Sequence, residues 1–379
     1  AVVALAAAPL PAQDGEGLEA FPAVDPYTQG DPERVARLGY VRLGGFVWLA
    51  GASTSEVQRE LGDAPMLWVE TEHFRIGSTL DTYDWSGDTR EKSRFASQLG
   101  RLEERLGDLK APRRELDPWL RLHLYAQLAE ETYAGFVRDF DLDPAAWGPD
   151  APHLGRPEKL LLLLCERDGE HARHAQVYLQ AEPAACYRYC PWEGPPVFTT
   201  SLETLARGYA LVDQPPLDLI LQGQVVDGLA HLFVESYRHA RGGAPYWLGK
   251  AYAHVAVRRV DPRWVTGVGL VEGQLMDEDD HEWEPRVRNL VKADYTAPAR
   301  ELFGWRAYAD LDVRDHMVAW SKLEYLLGIE AGDRRGFLDD VCRPAPEGEP
   351  EAVAAALVER QVAALGTRFG LAPEAFDAD

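Results

Sequence analysis

Apolar residues in the stretch 217–260 recur at helical spacing on either side of a short polar break. Before the break Ile220, Val225, Leu229, Leu232, Phe233 and Tyr237 fall roughly on a 3.6-residue period. The break is Arg241-Gly242-Gly243-Ala244-Pro245, and beyond it Trp247, Leu248, Ala251, Tyr252 and Val255 resume the period. The pattern predicts a helix–loop–helix pair, and the rest of the chain is arranged around it.

Upstream, alternating apolar and β-branched or aromatic positions over 65–78 predict a strand or hairpin. Residues 46–50 read as a further short strand. The helical period returns over 90–109, on Phe95, Leu99, Leu102, Leu106 and Leu109, and again over 118–140. An apolar run at 160–165, bounded by charges, suits a buried strand. Residues 170–179 read as a helix, 185–189 and 197–200 as short strands, and Ser201 as the cap of another helix. Downstream the expected elements are mainly helices: one near 300–308, one over 315–328 stopped by Gly328, and two more over 333–341 and 351–368.

The first twelve residues are small and apolar, like the core and cleavage site of a secretory signal, and are too short to span a bilayer. This predicts an exported protein with no membrane span in the mature chain. The 379 residues include 11 Trp, 15 Tyr and 12 Phe, enough for a large packed core. Phosphate contacts need a basic face, and with a net charge of -23 no nucleic-acid partner is expected. Four cysteines, Cys165, Cys186, Cys190 and Cys342, allow three full pairings in an oxidising compartment. Cys186 and Cys190 are the candidates for a local disulfide, with free buried thiols as the other reading.

The order of these elements (strand Trp68-Val69-Glu70-Thr71, long helices, strand Leu160 to Cys165, then a helix–loop–helix with Tyr246-Trp247-Leu248) resembles the gluzincin metallopeptidases of the peptidase MA type. The likeness covers roughly residues 65–259. It implies an α+β fold: a small mixed sheet with a gluzincin-like helix–loop–helix core, followed by a mainly helical C-terminal region. The implied division is 1–12 leader, 13–63 linker and N-terminal segment, 64–260 peptidase-like domain and 261–379 helical region. In that family HExxH on the first helix supplies two zinc ligands and the glutamate base, and a WLxEG motif on the second supplies the third ligand. Position by position, Asp227 stands at the first histidine, Gly228 at the base, His231 at the second histidine and Lys250 at the third ligand.

Zinc hydrolysis needs three ligands, an open fourth position and a base. Here His231 alone is retained, glycine accepts no proton, and an ammonium group repels a dication. Lys250 is expected to pair with Asp227 where the metal would have been. Reversing the changes, with Lys250→Glu, Asp227→His and Gly228→Glu, is expected to restore zinc affinity.

The other candidates have plainer readings. His171 and His174, three apart on a helix, could present two ligands but read better as a solvated polar face. His239 lies about 12 Å along the helix from His231, too far to share a metal. His254, one turn after Lys250, is a weaker candidate near His231 and reads as a surface or packed histidine. The acidic stretch 277–282 lacks the spacing of a calcium loop. The chain therefore reads as a pseudopeptidase without cofactor that binds a peptide or protein or serves as a scaffold. The alternatives are a zinc metallohydrolase with a shifted ligand set and a structural or carbohydrate-associated surface protein.

Overall fold

A computed structural model describes residues 24–85, 89–107, 109, 114–182, 184, 186–208, 216–261 and 282–378. The leader expected at 1–12 and most of the acidic stretch at 277–282 lie outside the described residues. In chain order the elements begin with helix α1 (Pro32–Arg37), strand β1 (Tyr40–Leu43) and helix α2 (Thr54–Glu60). Then come β2 (Leu67–Thr71), β3 (Phe74–Ser78), β4 (Tyr83–Asp84), α3 (Thr89–Leu106), β5 (Glu115–Leu116) and α4 (Pro118–Asp139). They continue with β6 (Leu160–Cys165), α5 (Asp168–His174), β7 (Cys186–Tyr189), β8 (Val197–Ser201) and α6 (Leu202–Gly208). The pair α7 (Leu217–Ser236) and α8 (Tyr246–Val260) follows. The chain ends with α9 (Trp283–Lys292), α10 (Ala299–Gly304), α11 (Val313–Gly328), α12 (Arg334–Val341), α13 (Pro350–Phe369) and α14 (Pro373–Ala378).

The fold is α+β, with a mixed sheet and a helical C-terminal region. Six strands pair in the order β1-β2-β3-β6-β8-β7. The three central strands β3, β6 and β8 are parallel, and β1, β2 and the edge strand β7 are antiparallel to their neighbours. Strand β6 explains why an unbroken apolar run was needed at its position. It has a parallel partner on each side and helices or loops over both faces, so all six residues are buried. Leu160, Leu162 and Leu164 enter the main core on one face; Leu161, Leu163 and Cys165 enter a second cluster with Phe46, Trp48 and Val57 on the other.

Helix α4 starts at Pro118 after Asp117, whose carboxylate accepts the amides of Trp119 and Leu120. Helix α7 has no such cap and is apolar nearly all round, because it runs through the middle of the core between the sheet, α4 and α8. It is long and apolar enough to cross a membrane by composition, yet 94% of its apolar window is buried within the protein.

The main core runs across both boundaries read from the sequence, at 63 and at 260. It takes in Tyr40 on β1, the sheet, and Phe303, Leu323, Leu338 and Leu365 from the C-terminal helices. The strand expected at 46–50 is absent. Val47 makes one isolated bridge to Ser53 and the chain then turns through Ala50 at φ +53°, while the sheet takes its first strand six residues earlier. Trp283 and Glu284, read as part of the acidic loop, begin α9.

Candidate functional site

Asp227 and His231 are one turn apart on α7, so they share a face, and α8 packs along that face. Lys250 on α8 donates from Nζ to Asp227 Oδ1 at 2.6 Å, with both residues only 3% exposed. The pairing expected from the sequence is therefore present. It sits one helical turn from His231, which is fully buried.

The glycines at this contact have steric reasons. A Cβ on Gly228 would lie 2.2 Å from Cε2 of Phe198 on β8, so α7 lies directly against that ring. A Cβ on Gly249 would lie 2.5 Å from the His231 ring. Gly228 therefore brings helix to sheet, and Gly249 brings α8 to α7. The expectation that Gly228→Glu helps to rebuild a zinc site is corrected here: no side chain fits at 228 while Phe198 stays in place.

Sequence reasoning missed the outer part of the site. His231 Nε2 lies 3.2 Å from Oε1 of Glu235, one turn further along α7. The approach is poorly aligned, and neither ring nitrogen of His231 has a hydrogen-bond partner. Arg188 of edge strand β7 lies 3.7 Å from Glu235 Oε2. Tyr246, at the start of α8, sets its ring 5.0 Å from that of His231. The i, i+4 spacing of His231 and Glu235 was legible; the arrival of Arg188 from a strand some forty residues earlier was not. Glu235 and Arg188 have 30% and 21% of their side chains exposed, so they close the site at its rim.

The charges follow from burial and neighbours. Burial pushes the Asp227 carboxyl up, but the charge and hydrogen bond of Lys250, with Arg188 behind, outweigh it and hold Asp227 below its ordinary value. Burial, and then Arg188, lower His231, so its imidazole is neutral at pH 7. Burial also opposes ionisation of Glu235, which His231 and Arg188 bring down to about 2. Since His231 is neutral at pH 7, Arg188 is the cation that keeps Glu235 charged there.

These residues do not fit a zinc ion. Asp227 is engaged by Lys250, whose ammonium would repel a dication. Among the described residues no group of three or more His, Cys, Asp or Glu side chains is placed to hold a metal. His171 and His174 do not share one either. They are not on a solvated face, as their sequence context suggested: His171 Nε2 bonds Thr199 Oγ1 at 2.7 Å and His174 Nε2 accepts from Trp48 Nε1 at 3.0 Å, both buried. Helix α5 is wedged between the sheet and the Trp48 loop, which no local pattern announces. His239 lies past the end of α7, in a single 3₁₀ turn.

The local disulfide is also corrected. All four cysteines are free. Cys186 opens β7 and Cys190 follows its last residue, so an extended chain sets their Cα atoms about 13 Å apart, twice what a disulfide spans. Cys186 Sγ accepts from Gln224 Nε2 at 3.5 Å, and Cys190 Sγ lies 3.7 Å from Arg156 Nη1.

No family model, curated protein or solved structure matches this chain. The likeness to gluzincins thus rests on the residue pattern and carries only a proposal.

Proposed function

We propose that the protein is a pseudopeptidase: an exported, peptidase-like chain that performs no hydrolysis and acts as a scaffold or a binder of peptide or protein. The observation that carries this reading is the buried Lys250–Asp227 pair at 2.6 Å, which fills the place of a metal with a compensated pair of charges. Gly228 supports it from a second side, since the position of the base is closed by Phe198. A buried ion pair of this kind is a fixed structural element, because removing either partner strands the other charge out of water.

The test uses the purified full chain at neutral pH, with and without prior chelation. The expected result is no stoichiometric zinc in either case and no chelator-sensitive cleavage of a quenched peptide library. One zinc per chain, lost in His231→Ala and accompanied by chelator-sensitive cleavage, would overturn the proposal in favour of the metallohydrolase. Retention on a glycan array with no peptide or protein enriched would move the binding role to carbohydrate.

A further inference from the structure

One turn beyond Lys250 on α8 lies a second buried polar contact, of a different kind. His254 Nε2 and His316 Nδ1, on α11, are 3.0 Å apart, so the two imidazoles share a single hydrogen bond. Each residue is 1% exposed, and His316 Nε2 has no hydrogen-bond partner. His316 stands in the first turns of α11, where Met317 also points into a small cluster with Trp283 and Val287 of α9. That cluster is separate from the main core, which the chain meets on either side of these turns, at Leu311 before them and at Ala319, Leu323 and Leu326 after. Trp283 packs edge-on against His254, and Arg258 is held between the rings of Trp283 and Trp320. Helix α9 therefore rests on two buried side chains and on this histidine seam.

The charges that face the pair are mostly positive. Lys250 and Arg258 face His254 from its own helix, and His231 from α7. Lys250 also faces His316, opposed by Asp227 from α7 and by Asp312 at the start of α11. Tyr308 packs a ring against His316 at 5.4 Å. On α9, Glu284 and Arg288 pair with each other on the outside.

We infer that α9 and the first turns of α11 form an acid-released flap on α8, latched by the His254–His316 contact. The latch holds while both imidazoles are neutral. Burial first, and then Lys250, lower both groups, His316 to about 3. In the open flap each is an ordinary histidine that takes a proton near pH 6.5. Opening therefore takes up protons and is favoured as pH falls below that value, by about tenfold per histidine between pH 7.5 and 5.5. The unit is local because the later turns of α11 stay in the main core.

The test is hydrogen exchange of the full chain at pH 7.5 and 5.5, corrected for the intrinsic rates. Peptides from α9 and the first half of α11 are expected to lose roughly 100-fold in protection, the product for two histidines. Strands β6 and β8 should exchange through a rarer opening at both pH values. His254→Asn and His316→Asn should each cut the roughly 100-fold pH effect on flap opening to about tenfold; His316→Gln replaces the second variant should it fail to fold at pH 7.5. A merely weakened contact would raise exchange at both pH values and leave the slope alone. The inference is overturned if flap and sheet exchange as one unit, if the flap ignores pH, or if the slope survives both substitutions.

Discussion

Two buried polar contacts sit one turn apart on α8, and they solve the problem of burial in opposite ways. At Lys250–Asp227 two full charges neutralise each other at 2.6 Å. At His254–His316 two like groups share one hydrogen bond and stay uncharged. The first contact loses most when a partner is removed; the second loses most when a proton is added. One helix thus carries one contact sensitive to sequence change and another sensitive to acid.

The largest expected effect comes from breaking the first contact. Lys250→Met should cost about 3–5 kcal/mol in urea unfolding, because Asp227 is left buried and uncompensated. The double variant Lys250→Met with Asp227→Leu should recover most of that loss. If the single variant is nearly neutral, the pair is not the keystone described.

Acid sharpens the comparison next. His171, His174 and His316 are lowered, by burial first, to about 4, about 3 and about 3. The unfolded chain binds protons at about 6.5 that the folded chain refuses. Stability is therefore full above pH 6.5 and falls as pH drops below it, by roughly 4 kcal/mol for these three between pH 7.5 and 5.5. Asp227, lowered below 3.8, keeps its contribution through that window and loses it only in stronger acid. Urea unfolding at the two pH values measures the difference, and equal stability would contradict the neutral burial of these rings.

Smaller effects probe the close packing. Gly228→Ala should cost about 1–3 kcal/mol by forcing a methyl group onto Phe198, with partial relief from Phe198→Leu. Asp312→Ala removes the carboxylate that accepts the Asp315 amide at the start of α11 and should cost about 1 kcal/mol, near the seam rather than in the sheet. Exchange of α11 peptides against sheet peptides locates that loss.

The helices around the candidate site were legible because their apolar periods are long. Residues 118–140 and 315–328, read from pattern alone, correspond to Pro118–Asp139 and Val313–Gly328. The Lys250–Asp227 contact was legible through the resemblance, which set the two residues at ligand positions of one site. What was not legible came from contacts distant in sequence. Arg188 reaches Glu235 only because β7 folds back along β8 to the sheet edge. His316 meets His254 across sixty-two residues, so neither could be paired by spacing. His171 and His174 looked solvated because their neighbours are polar; only the docking of α5 against Trp48 and Thr199 buries them.

Asp227 has one more consequence, which concerns the chain before it folds. Helix α7 is apolar enough for an 18-residue window to reach a mean hydropathy of 1.3. Asp227 lies near the middle of that helix. A carboxylate at the centre of a bilayer-spanning helix costs about 2.5–3.5 kcal/mol on insertion. The residue that anchors Lys250 in the folded protein therefore also makes the unfolded segment a poor membrane span.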